Sequence, residues 1–173
     1  MPKKRKIFLP FAPSDLSGIS ELVMDGEVYY THADAEMAPG LEKRLNEVAR
    51  CAGGCVTAEM TLEAIAPSVV SCAESLGAIE RLVYAPELTA KGELFLDLIE
   101  EDFAAHTAAV NGLFMLCKCA LPYMMGGESP EIIVVRPREQ KNLTSDMYDA
   151  AVSAIAESMN NELAEYGVRV RLS

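Results

Sequence analysis

Ile132-Ile133-Val134-Val135 is a run of four β-branched residues with no polar break. A strand with one wet face alternates apolar and polar residues. An unbroken apolar run belongs instead in a parallel sheet covered on both faces. Working outward, five more short runs read as strands: Ile7-Phe8-Leu9, Glu27-Val28-Tyr29-Tyr30-Thr31, Cys55-Val56-Thr57, Arg81-Leu82-Val83-Tyr84 and Val168-Arg169-Val170-Arg171-Leu172. Helical stretches lie between them. From Leu41 to Cys51, Leu41, Leu45 and Val48 share one face, and Gly53-Gly54 is expected to stop that helix. Thr61 is expected to cap the next, which runs to Leu76 and ends at Gly77. Pro67 inside it predicts a kink or a late start. The longest helix runs from about Glu100 to Met125. The last is expected to be capped by Ser145 or Asp146 and to end at Tyr166-Gly167. Strand and helix alternate throughout, which predicts an α/β protein: about six strands in a doubly wound parallel sheet with helices on both faces, in one domain over residues 1–173.

The composition narrows the function classes. Of 173 residues, 50% are hydrophobic and only 6% aromatic, so the core must come from Ala, Leu, Val, Ile and Met. The formal net charge of −11 argues against nucleic acid and anionic membranes, both of which attract basic surface. No run reaches the roughly 18 apolar residues of a membrane span. A soluble cytoplasmic protein is expected. The five cysteines are odd in number and sit in apolar or helical stretches, which points to reduced thiols. The basic start Pro2-Lys3-Lys4-Arg5-Lys6 reads as a solvated lead-in to the first strand, not as a nuclear or secretory signal.

From Leu76 onward the pattern is more specific. Leu76-Gly77-Ala78-Ile79-Glu80-Arg81-Leu82-Val83 is followed by a helix with Val110-Asn111-Gly112-Leu113-Phe114 and Ala120-Leu121-Pro122-Tyr123-Met124. Then come the apolar strand, Tyr148, and Asn161-Glu162-Leu163-Ala164-Glu165-Tyr166-Gly167-Val168-Arg169-Val170. This resembles the short-chain dehydrogenase/reductase family, strongly from Leu76 to Val170 and weakly before it. The resemblance implies a truncated Rossmann-like fold, a pyrophosphate cradle, and a Ser-Tyr-Lys-Asn active site.

The residues that carry that chemistry are mostly replaced. The family's glycine loop corresponds to Pro13-Ser14-Asp15-Leu16-Ser17-Gly18-Ile19-Ser20, where Ser14 and Ser20 replace glycines and only Gly18 is kept. Glycines are needed there because the backbone must approach the phosphates and a Cβ would intrude. Asp15 is expected to add like-charge repulsion. About seven residues separate Ser20 from the second strand, too few for the full helix whose N-terminus would face the phosphates. Asp34, just past strand two, is expected to cap or turn, and Glu59-Met60-Thr61 stands near an adenine position. Tyr84-Ala85-Pro86-Glu87 replaces the family's Asn-Asn-Ala-Gly. The catalytic Ser position falls on Pro137, with Arg138 and Glu139 offering no hydroxyl. Tyr148 matches the catalytic Tyr, but the Lys four residues on is Val152. A phenol without that charge stays protonated at neutral pH. Asn111 matches the family's Asn. The family also continues past strand six, where this sequence stops at Ser173.

Other clusters carry less. Cys51 with Cys55, and Cys117 with Cys119, lack zinc spacing, and His32 and His106 lack a partner four residues away, so no metal is expected. Glu100-Glu101-Asp102 suits a helix dipole. The two helices by which this family pairs subunits follow its pattern best. Phe103, Val110, Phe114, Cys117 and Leu121 on the first, and Ala151, Ile155 and Met159 on the second, are the expected interface. The resemblance therefore implies a degenerate, catalytically inactive subunit with no cofactor of its own. It would stabilise an active NAD-dependent short-chain alcohol dehydrogenase in a heterotetramer of two plus two, NAD lying in the partner subunit, with a hydroxyacyl-CoA of toluene (benzylsuccinate) β-oxidation as substrate. The alternative is a stand-alone ligand-binding or regulatory protein that uses the emptied Rossmann cleft.

Overall fold

The computed structural model describes residues 4–36, 38–57, 59–88, 95–136 and 142–173. Six parallel strands form one sheet: β1 (Lys6–Leu9), β2 (Glu27–His32), β3 (Arg50–Val56), β4 (Arg81–Tyr84), β5 (Glu131–Val134) and β6 (Arg169–Leu172). Their spatial order is β3-β2-β1-β4-β5-β6. β1 pairs with β2 through Ile7 opposite Val28, and with β4 through Phe8 opposite Leu82. The helices are α1 (Ser20–Val23), α2 (Ala38–Val48), α3 (Leu62–Leu76), α4 (Glu100–Met124) and α5 (Leu143–Leu163).

The apolar run at β5 does what an unbroken run must. Ile132 and Val134 enter one core with α3, α4 and α5, among Ile65, Val69, Leu113 and Leu116. Ile133 enters the opposite core with α1 and α2, among Ile19, Val23, Leu41 and Leu45. Successive strand side chains point to opposite faces, so both faces must be covered. Each fully buried aliphatic side chain contributes about 1.5–3 kcal/mol of transfer free energy.

Four local expectations need correction. Gly53-Gly54 does not stop a helix: α2 ends at Val48, and Cys51 to Val56 continue as strand. The glycines are there for their neighbours. A Cβ on Gly54 would lie 2.5 Å from the Tyr30 ring, and Gly53 takes φ +147° opposite the Tyr29 ring, where the register with β2 shifts. The cap of α5 is Asn142, not Ser145 or Asp146. Its Oδ1 accepts from the Ser145 N–H (2.9 Å) and from the Ser145 and Thr144 hydroxyls (2.6 and 2.9 Å). Thr61 takes the N-cap position of α3 without a side-chain cap bond, and the helix runs through Pro67. The basic lead-in is not wholly solvated, because Arg5 joins a buried charge cluster described below.

α4 has 25 residues and a mean hydropathy of 1.3 over its most apolar window, enough to cross a membrane by length and composition. Here Leu113, Leu116, Ala120 and Met124 are fully buried in the core it shares with β4 and β5, which makes it a core helix. At its foot, Glu131 gathers three arginines from three strands' ends. Arg171 Nε donates to Oε1 at 2.8 Å, Arg81 Nη2 reaches Oε2 at 2.9 Å, and Arg5 Nη1 lies 3.6 Å away. Burial pushes the Glu131 carboxyl up, but the Arg171 hydrogen bond and the three guanidinium charges outweigh it and hold the pKa below its ordinary value.

Candidate functional site

In a doubly wound sheet, ligands bind outside the carboxyl ends of the strands where the order reverses. Here that is between β1 and β4, so the site is built by the loops that follow them. The loop after β1 is pinned to β2. The Phe11 N–H donates to Thr31 Oγ1 at 2.8 Å, and the Ala12 N–H to the Thr31 carbonyl at 2.7 Å. Phe11 sits at φ +50°, buried. Next, the Ser14 N–H donates to Glu87 Oε2 at 3.1 Å. Glu87 comes from the loop after β4, so a carboxylate of this chain occupies a backbone donor at the switch point. Asp15 turns back on its own loop: its oxygens accept from the Ser17 N–H (2.9 Å) and hydroxyl (2.8 Å), and these bonds hold its carboxyl below the usual range. Ser20 begins α1, which is a single turn of four residues, as the short spacing requires. A Cβ on Gly18 would meet no atom of this chain within 4 Å. Asp34 closes a turn, accepting from the Glu36 N–H at 2.8 Å.

The second half of the site is largely apolar. Tyr148 is buried, and its hydroxyl has no hydrogen-bond partner among the described residues. Burial, and then the Asp149 carboxylate, push its phenol well above its ordinary pKa. Val152 is fully buried in the core one turn later. Pro137, Arg138 and Glu139 lie outside the described residues. Asn111 does not face Tyr148: it is exposed on the outside of α4. The buried positions on that helix include His106, Ala109 and Gly112. Helical geometry separates Asn111 from Ala109 by about 200°, so one cannot stand in for the other. The Tyr84 hydroxyl takes the Ala109 carbonyl at 2.6 Å, and the His106 ring meets Tyr148 edge-on at 6.4 Å. Burial, with Tyr148 and Cys117 beside it, also keeps the Tyr84 phenol far above its usual pKa. Sequence reasoning singled out Glu87 and His106 but not the contacts they make, and it missed Ala109. No local signal marks those contacts, since each is made across a long loop or a helix face.

The expected interface residues divide. Phe103 and Phe114 are 48% and 54% exposed. Val110, Leu121, Ala151, Ile155 and Met159 are half-buried along α4 and α5. Cys117 is instead 2% exposed in the core, so it is removed from that surface, and burial lifts its thiol to about 12. Cys72 is buried too, its thiol raised by burial, and all five cysteines are free. Thiols this high are poor nucleophiles and poor metal ligands. Among the described residues no group of three His, Cys, Asp or Glu side chains is placed to hold a metal.

No family model matches the sequence, and no curated protein does. Solved structures do. A short-chain dehydrogenase/reductase from Sinorhizobium meliloti superposes with a TM-score of 0.74 at 24% identity, over 99% of this chain and 80% of its own. The fold is that of the short-chain dehydrogenase/reductases. A short-chain oxidoreductase from Pseudomonas aeruginosa with an atypical catalytic center gives 0.77 at 18% identity, over 96% of this chain and 68% of its own. A metagenomic short-chain oxidoreductase in complex with NADP gives 0.77 at 17%, over 97% and 79%. The chain thus spans 65–80% of the length of these and similar solved chains.

Proposed function

We propose that this chain is a degenerate member of the short-chain dehydrogenase/reductase family: a catalytically inactive subunit that stabilises an active, NAD-dependent partner. The observation that carries the reading is the Glu87 carboxylate on the Ser14 N–H at the switch point. A pyrophosphate needs backbone donors and a positive helix end there. This site offers a fixed negative charge, a one-turn α1 and a Cβ at Ser14 and Ser20. The residues present do not fit a dinucleotide. Val152 in place of the lysine, and a buried Tyr148 hydroxyl, support the same reading. A buried phenol that stays neutral is a poor proton carrier at neutral pH.

What the chain retains is a pair of helices with an apolar outer stripe, fitted to pair with a second subunit in a cytoplasmic two-plus-two heterotetramer. The pattern of loss resembles the non-catalytic subunit of the dehydrogenase that oxidises 2-[hydroxy(phenyl)methyl]succinyl-CoA in anaerobic toluene degradation. On that resemblance, the complex takes a hydroxyacyl-CoA.

Titration with NADH under fluorescence detection tests the first part. No binding at micromolar concentration is expected, and a micromolar Kd sinks the reading. Co-expression with the product of the neighbouring gene tests the second. The expected result is a mixed tetramer that is active only through the partner. A monomer indifferent to that protein points instead to a stand-alone ligand-binding protein.

A further inference from the structure

We draw no further inference here: the strongest candidate, the groove of about 540 Å³ between the last turns of α3 and α4, walled by Val70, Glu74, Tyr123 and Met125, carries none, because nothing in the structure shows what covers it.

Discussion

Tyr148 is the residue at which the proposed loss of chemistry rests most directly on the physics of burial. Its hydroxyl has no partner among the described residues, and a buried hydroxyl left so costs about 1–3 kcal/mol of desolvation. Tyr148→Phe keeps the ring against His106 and removes the orphan, so it is expected to stabilise the fold by about 1 kcal/mol in urea denaturation. A loss of stability would mean that the hydroxyl has a partner in solution. Gly18 makes a second case. Its backbone and surroundings leave room for a Cβ, so Gly18→Ala is expected to leave the melting temperature unchanged or slightly raised. In a working phosphate cradle the same change would be ruinous. Both sites were legible in the sequence as remnants. The exposure of Asn111 was not, because spacing from Gly112 or Pro122 does not say which side of the helix meets the sheet.

Among the elements, the foot of the sheet depends on charge as well as on apolar packing. Glu131 at the start of β5 holds Arg81 of β4, Arg171 of β6 and Arg5 just before β1. Replacing it by Gln leaves three guanidinium groups with a neutral neighbour, two of them partly buried, and is expected to cost about 2–3 kcal/mol. The carboxyl is held below its ordinary 4.5 in the folded state. A lowered folded value means that the contribution is present above the unfolded pKa and is lost as pH falls through the folded one. Wild type and Glu131→Gln are therefore expected to differ in melting temperature at pH 7 and to converge as the pH drops below about 4.5. A gap that persists at pH 3 would show that the effect is steric. None of this cluster was read from the sequence. Glu131 stands 50 residues from Arg81 and 40 from Arg171, and periodicity reports only neighbours along the chain.

For the whole molecule, binding that favours the folded state raises its stability by mass action, by about 2.7 kcal/mol at a ligand concentration of 100 Kd. Melting curves with 1 mM NADH or NADPH are accordingly expected to overlay the curve without nucleotide. A shift of several degrees would mean that Glu87 yields to phosphate. The sequence by itself determined the strand order along the chain, the sheet covered on both faces and the stunted α1. These follow from unbroken apolar runs, helical spacing and the number of residues between strands, all local quantities. It also marked Ser14, Ser20 and Val152 as unfit for their family roles, since each is a matter of residue type. Only the tertiary structure decided that Glu87 sits on the Ser14 N–H, 73 positions away, that Ala109 and not Asn111 faces inward, and that Cys117 belongs to the core. Those facts depend on how separate elements are rotated and brought together, and that is set by packing across the sheet.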